Sequence, residues 1–99
     1  MSGENDAGRY VSGGQQTLIA VVEALAARPL NPPDLAQVAA AVGRSRDQTY
    51  RSLKNLDRGG WAEQTPGGGW RLTPRVTQLA ERFRLALTDT YRLYLHPEA

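Results

Sequence analysis

The chain has no cysteine among its 99 residues and a single histidine, His96. The absence of cysteine excludes disulfides, zinc–thiolate sites and thiol nucleophiles. His96 stands beside Pro97 near the chain end, where a frayed surface position is expected, so no metal, cofactor or catalytic residue is predicted. Paired carboxylates and a phosphate-binding glycine loop are also lacking, and enzyme function therefore has no residues to support it.

Long apolar segments are missing as well. No run approaches the roughly 20 residues that span a bilayer, and the first residues lack the basic and then apolar order of a signal peptide. These features predict a cytoplasmic protein without a membrane partner. The length predicts one domain with one modest core. Residues 1–11 are too polar and glycine-rich to pack, and they are predicted to form a flexible tail.

Positive charge is concentrated in the middle of the chain. Residues 41–75 carry seven basic and three acidic groups, a net +4, whereas residues 1–40 sum to −2 and the remainder balances. Phosphate neutralisation requires several cations on one surface. Eleven of the 12 cations are arginines, whose forked guanidinium suits phosphates and guanine edges, although a GC-rich genome would produce the same bias. Five cations fall within 15 residues: Arg44, Arg46, Arg51, Lys54 and Arg58.

Two short helices are predicted ahead of this basic segment. Ser12 and Gln15 have capping-box spacing and open a helix over about residues 13–27. Asn31 is predicted to cap a second helix with Pro32 at its first position. Gly43 is expected to end that helix in the left-handed conformation.

The basic segment itself is predicted to be a helix. Ser45 and Gln48 form a second capping box, and the helix should continue to about Asp57 before two glycines. Helical periodicity divides it into a packing face and an exposed face. The packing face holds Thr49, Leu53 and Leu56, and the exposed face holds Asp47, Arg51, Lys54, Asn55 and Arg58.

A hairpin and a long helix complete the chain. Residues 61–65 and 70–72 are predicted strands around a glycine-rich turn. Trp61 and Trp70 are expected to pack rather than to stack on bases, although stacking stays open. Thr73 and Pro74 begin the last helix. Its apolar stripe comprises Val76, Leu79, Ala80, Phe83, Leu87, Tyr91, Tyr94 and Leu95.

This order of elements is typical of a winged helix-turn-helix: mainly α with a small β-hairpin, built from a three-helix core, a two-stranded wing and a long C-terminal helix. The predicted domain covers residues 12–73, and the C-terminal helix covers residues 74–99. In such a fold the third helix enters the DNA major groove with its first turns nearest the bases. The predicted base-reading residues are Arg46, Asp47, Gln48 and Arg51.

Other residues are predicted to contact phosphates or to form the wing surface: Arg44, Ser45, Tyr50, Lys54, Arg58, Gly67, Gly68, Arg71 and Arg75. Two simpler interpretations stay open. The basic face can be an ordinary solvated surface, and the hairpin can simply close the core.

The last helix is longer than a three-helix core of this size can cover, and its distal half is predicted to form a homodimer, which would place two recognition helices on half-sites about one helical turn apart. The alternative is that this segment folds back on the domain or frays after Leu87. The predicted dimer residues are Phe83, Leu87, Tyr91, Tyr94 and Leu95.

Residues 13–83, about 70% of the chain, resemble the DNA-binding domain of IclR-type transcriptional regulators. The similarity lies in residues 16–19, 35–39, 49–53, 56, 58–59, 63–64 and 70–76, and parts of it are shared with MarR-type winged helices. The resemblance implies DNA contacts at Arg46, Asp47, Gln48, Tyr50 and Arg51. It does not extend to the family's small-molecule effector domain, so control by a ligand is not expected. Arg44 departs from the family pattern, which has a small or apolar residue there.

The leading hypothesis is a sequence-specific regulator of transcription that binds double-stranded DNA and is associated with the nucleoid. The alternative is a winged helix that binds protein, or an accessory module of a larger nucleoprotein assembly. Asp47 and Gln48 favour DNA, because docking on an acidic partner does not need them. Single-stranded nucleic acid is less favoured, because exposed aromatics between the cations are scarce.

Overall fold

The computed structural model describes residues 10–95, and this part of the chain forms four helices and one antiparallel hairpin. Most of the predicted tail, His96 and the side chain of Leu95 lie outside the described residues. The elements are α1 (Gly13–Ala26), α2 (Leu35–Val42), α3 (Arg46–Arg58), β1 (Ala62–Gln64), β2 (Trp70–Leu72) and α4 (Pro74–Leu95). Their order is the predicted order.

Helix α1 begins where its sequence indicates. The hydroxyl of Ser12 accepts a hydrogen bond from the backbone amide of Gln15 at 3.3 Å, which is the first half of a capping box. The buried residues of α1 are four apart and share one face: Thr17, Val21 and Leu25. That face lies against α2 and α3.

The start of α2 differs from the prediction. The helix begins at Leu35, and its N-cap is Asp34, not Asn31. Asp34 accepts from the amide of Gln37 at 2.9 Å, and the side-chain oxygen of Gln37 accepts from the amide of Asp34 at 2.9 Å. Pro32 is a poor first residue for the helix because it precedes Pro33, and the helical region is disfavoured for a residue before proline.

A three-residue turn connects α2 to α3. Gly43 adopts φ 68° and ψ 34°, the left-handed conformation expected for it, and its amide donates to the carbonyl of Ala39. Ser45 then caps α3 with a complete capping box to Gln48. Both helix signals predicted for this turn are confirmed.

The core lies between α1, α2, α3 and the hairpin. Its largest member is Trp70, which is only 2% exposed, whereas Trp61 is half-buried at the rim. The packing role expected for Trp70 is therefore confirmed. The other buried members of this core cluster are Val21, Leu25, Val38, Leu53, Leu56 and Ala62.

The hairpin pairs Ala62 with Leu72 and Gln64 with Trp70. Pro32 and Pro33 form a proline segment that lies beside β2. The amide of Trp70 in β2 donates to the carbonyl of Pro33 at 2.8 Å. Gly69 is buried against this segment, and a Cβ atom added to it would collide with the backbone of Pro32. Glycine is required here because the two backbones approach too closely for any side chain.

A set of hydrogen bonds joins the end of α3 to the base of α4. The amide of Trp61 donates to the carbonyl of Leu56 at 2.8 Å, and the amide of Thr73 donates to the carbonyl of Trp61 at 2.9 Å. The hydroxyl of Thr73 donates to the carbonyl of Gly60 at 2.5 Å. Thr73 thus precedes α4 as predicted, but its hydroxyl binds the α3–β1 loop.

Helix α4 projects away from the core. It contains 22 residues, which corresponds to about 33 Å of helix. Between Pro74 and Tyr94 only Val76 and Thr88 are even partly buried. Over its described residues the helix does not fold back on its own domain.

Candidate nucleic-acid interface

The first turn of α3 is held by its cap. The amide of Gln48 donates to the hydroxyl of Ser45 at 3.1 Å, and the Gln48 side-chain oxygen accepts from the Ser45 amide at 3.3 Å and from its hydroxyl at 3.2 Å. A bidentate contact from glutamine to adenine needs both the oxygen and the amino group of the side chain. Gln48 can therefore read adenine in this way only by leaving the cap.

Four charged residues form the outward face of α3, named here the recognition face: Asp47, Arg51, Lys54 and Arg58. At 100° per residue they fall within about 60° of one another, and all four are exposed. The opposite side is buried through Thr49, Ser52, Leu53 and Leu56. The sequence-based division into two faces is confirmed, with Ser52 added to the packed side.

Two ion pairs lie on α3. The Arg51 Nη2 is 2.8 Å from Asp47 Oδ2, and the Lys54 ammonium is 3.6 Å from Asp57 Oδ2. Both pairs are largely exposed, with side-chain exposures of 75% and 72% for the first. Pairs of this kind contribute little to folding. Their cations therefore remain available to a ligand.

Other predicted α3 residues lie beside the recognition face. Arg46 and Gln48 each fall about 100° from Asp47, on opposite sides of the helix. Tyr50 is 46% exposed on the Arg46 side. Arg44 is exposed in the turn before the helix. Among the predicted base readers, only Asp47 and Arg51 share the recognition face.

In the wing, defined as residues 62–72, one of the predicted cations lies in an ion pair. Arg71 faces Glu63 across the hairpin, and the guanidinium Nε is 2.9 Å from the carboxylate. The amide of Gly68 already donates to Thr65 within the turn at 2.9 Å. Gly67 is exposed at the tip. The wing therefore presents backbone at its tip and a half-exposed ion pair on its strands.

Arg75 lies at the base of α4, over the end of α3. Its Nη1 atom is 3.6 Å from the position that a Cβ atom on Gly60 would occupy. A cleft of about 400 Å³ beside it is lined by Trp61, Gln78, Leu79 and Arg82. Sequence reasoning missed Arg82, although its spacing of seven residues from Arg75 places both on one side of the helix.

Asn55 is a second residue that was not assigned to the site. Its side-chain amino group donates to the carbonyl of Arg51 at 2.7 Å. Asn55 also lines an open concavity of about 620 Å³ with Lys54, Asp57 and Arg58. Its polarity and its place on the outward side of α3 were the signals that pointed to it.

One face of α4 is apolar over its whole described length, and its large side chains are exposed. Phe83 is 56% exposed, Leu87 58%, and Tyr94 73%. The other side of the helix carries a bidentate ion pair, in which Arg84 binds Glu81 at 2.6 and 3.2 Å. This hydrogen bonding lowers the pKa of the Glu81 carboxyl and raises the pKa of Arg84. The helix is thus amphipathic, and the large side chains of its apolar side are 44–73% exposed.

Within residues 10–95 there is no helix long and apolar enough to cross a membrane. The same part of the chain holds no cluster of three or more residues able to bind a metal ion.

A solved structure of a known regulator has a similar fold. The chain matches the crystal structure of the PcaV transcriptional regulator from Streptomyces coelicolor in complex with its natural ligand, with a TM-score of 0.53 and 26% identity. The match covers 83% of this chain but only 61% of that protein. The sequence matches no protein-family model and no curated protein.

The chain has a winged-helix fold. The match to a transcriptional regulator, together with the order of helices and hairpin, confirms the predicted fold class. It also bears out the winged-helix part of the resemblance noted in the sequence. It does not single out the IclR type, which stays a prediction.

Proposed function

We propose that this chain is a sequence-specific regulator of transcription that binds double-stranded DNA through α3 in the major groove. The observation that carries the proposal is the recognition face. A helix capped after a tight turn presents Arg51, Lys54 and Arg58 outward within a fold shared with a transcriptional regulator. Helix-turn-helix proteins place such a face in the major groove.

The individual contacts follow from the chemistry of the side chains. Arg51 is suited to guanine O6 and N7, and Arg46 is suited to a flanking base or a phosphate. Lys54, Arg58 and Arg44 are suited to phosphates, which set the register of the protein on the duplex. The tip of the wing and Arg75 would approach the neighbouring backbone. The IclR-type assignment and an association with the nucleoid in the cytoplasm belong to this proposal, which assigns no enzymatic activity.

A homodimer through α4 is part of the same proposal. Large apolar side chains cover about 150–250 Å² each when fully exposed. Five of them at roughly half exposure provide about 500 Å² per copy, or about 1,000 Å² in a dimer, which is the lower limit of the area expected of a biological interface. The five are Leu79, Phe83, Leu87, Tyr91 and Tyr94, which are 44–73% exposed.

The DNA proposal is tested by fluorescence anisotropy with a pool of random duplexes over a series of salt concentrations, followed by selection of the bound sequences. Four phosphate contacts per copy, or eight for a dimer on two half-sites, give a slope of about −7 in a plot of log affinity against log salt. We expect such a slope and an enriched, roughly palindromic motif. No duplex binding at about 50 mM salt would overturn the proposal.

The dimer is tested with a matched pair of α4 variants. Phe83→Glu places a charge in the apolar stripe, whereas Leu85→Glu places it about 160° away on the same helix. The two residues are similarly exposed, at 56% and 49%. We expect Phe83→Glu to reduce the mass measured by sedimentation to that of a monomer and Leu85→Glu to leave it unchanged. A wild-type chain that is monomeric at high concentration would contradict the dimer.

A protein-interaction module is the second candidate, and the exposed apolar side of α4 is the observation that favours it. In this case the stripe would bind a different protein, and the recognition face would be a solvated surface. Co-purification with one defined protein partner, together with no affinity for duplex DNA, would support this candidate over the first.

A further inference from the structure

The outward face of α3 carries one negative charge at its start. Asp47 lies in the first turn, and its Oδ2 atom is 2.8 Å from Arg51 Nη2. A carboxylate in the first turn stabilises the positive end of the helix, but on a face that served only to bind phosphates it would weaken binding, because it repels the DNA backbone. The position of Asp47 therefore indicates a role in base recognition.

We propose that Asp47 determines the sequence specificity of α3: it holds the guanidinium of Arg51 for a guanine, and its second oxygen selects cytosine or adenine at the adjacent base pair. This inference rests on the proposed DNA-binding function. The DNA sequence recognised by the site is then a guanine next to a cytosine or an adenine.

The first part of the role concerns the arginine. A guanidinium has five N–H donors in a planar fork, and Nη2 of Arg51 lies against Asp47 in the structure. The remaining donors are sufficient for a bidentate contact to guanine O6 and N7. The carboxylate reduces the number of rotamers available to a side chain that is 75% exposed. Less conformational freedom is then lost on binding DNA.

The second part concerns the neighbouring base pair. The ends of the Asp47 and Arg51 side chains are 2.8 Å apart, which is less than one base-pair step of about 3.4 Å. The oxygen of Asp47 that does not bind Arg51 is an acceptor only. Cytosine N4 and adenine N6 donate in the major groove, whereas thymine O4 and guanine O6 accept. Asp47 therefore accepts the amino-bearing bases and rejects the other two.

The cap of α3 engages Gln48, so Asp47 is the residue that recognises the adjacent base pair. The side-chain oxygen of Gln48 is bound to both polar groups of Ser45, and Arg46 lies about 100° away from Asp47 around the helix. Asp47 and Arg51 are consequently the two side chains of the first turns that point together along the recognition face.

A comparison of two aspartates tests the inference. Asp47→Ala and Asp57→Ala each remove one exposed carboxylate, and one ion pair, from the same helix. Asp57 is paired with Lys54, a predicted phosphate contact, and is not in contact with Arg51. The motif selected from random duplexes and the affinity for a random duplex are measured for the wild-type chain, both aspartate variants and Arg51→Ala. Thermal unfolding confirms that each variant is folded.

We expect the wild-type motif to contain a constant guanine next to a position restricted to cytosine or adenine. Asp47→Ala should tolerate all four bases at that position, with a loss of discrimination of about tenfold, and should bind random duplexes more tightly. Asp57→Ala should also bind random duplexes more tightly but should select the wild-type motif. Asp47→Asn gains an amino donor, so it should accept thymine and guanine, and Arg51→Ala should lose the guanine.

A role of Asp47 in stabilising the helix alone would change the unfolding temperature and leave the motif intact. Selection of the wild-type motif by Asp47→Ala would therefore overturn this inference while the proposed function stands. A wild-type chain that binds no duplex overturns both.

Discussion

Replacing Gly69 by alanine should destabilise the fold severely. An added Cβ atom would lie 2.9 Å from both the carbonyl carbon and the Cβ of Pro32, and closer still to the carbonyl oxygen, whereas ordinary contact begins at 3.4 Å. Strand β2 and the proline segment must then separate by roughly half an ångström or more. Neither side can give way by rotating a flexible side chain, because the clash is with backbone and with a proline ring.

The cost can be assembled from the groups that this separation disturbs. The hydrogen bond of 2.8 Å from the Trp70 amide to the Pro33 carbonyl is weakened, and leaving a buried polar group unpaired costs about 1–3 kcal/mol. Overpacking next to Trp70, which is 2% exposed, adds about 1–3 kcal/mol. We therefore expect a loss of about 2–6 kcal/mol from a free energy of unfolding that is about 5–15 kcal/mol in small proteins.

Gly67→Ala provides the matched control. Gly67 lies in the same turn, is exposed, and has no atom nearer to its would-be Cβ than the Thr65 hydroxyl at 4.0 Å. Its φ is not positive, so alanine should be neutral or stabilising by about 0.4–1 kcal/mol. Thermal and urea unfolding followed by circular dichroism measure both variants. At about 4–8 °C per kcal/mol, Gly69→Ala should lower Tm by more than about 8 °C. Two variants with Tm values within a degree of each other would refute the argument.

Three further outcomes are expected. Asp34→Ala should lower the free energy of unfolding by about 0.5–2 kcal/mol and Asn31→Ala should not, because Asp34 forms the capping box of α2; equal urea midpoints would contradict this assignment. Thr49→Val should stabilise the protein by about 1 kcal/mol, since the buried Thr49 hydroxyl has no hydrogen-bond partner among the described residues; an unchanged or lower midpoint would indicate that a water satisfies it. The hydrogen bond from Arg84 lowers the pKa of Glu81 from 4.5, so the ion pair stabilises α4 above pH 4.5 and this stabilisation is lost as the pH falls through the lowered pKa. Glu81→Gln should remove the corresponding step in helicity from a circular dichroism titration. A titration identical to that of the wild-type chain would exclude the ion pair as the cause of the step.

Local features of the fold were predictable because their causes are local. The cap of α3 depends on Ser45 and Gln48, which are three residues apart, and the turn before it depends on the left-handed conformation of Gly43. The incorrect cap of α2 was also a local matter. Asn31 has a favourable side chain for capping, but Pro33 disfavours a helical Pro32, and that rule outweighs the preference for asparagine.

Interactions between distant segments could not be predicted in the same way. The contact of Gly69 with Pro32 joins residues 37 positions apart, and no periodicity in the sequence indicates it. The pairing of Arg71 with Glu63 depends on the register of the hairpin, and no local pattern in the sequence indicates it. Gln48 shows a further limit of prediction from the sequence. Its position fits both a capping box and a base-reading helix, but in the structure its side-chain carbonyl oxygen accepts hydrogen bonds from the cap residue.

The hydrogen bonds around Thr73 couple the orientation of α3 to the orientation of α4. The loop between α3 and β1 is bound directly to the residue from which α4 departs, so the two helices cannot reorient independently without breaking these bonds. Because α4 extends about 33 Å from this point, a tilt of about 5° at its base moves its far end by about 3 Å. Conversely, a partner bound at the far end of α4 would control the angle of α3 closely, because a displacement of several ångströms at that end corresponds to a rotation of only a few degrees at the recognition face.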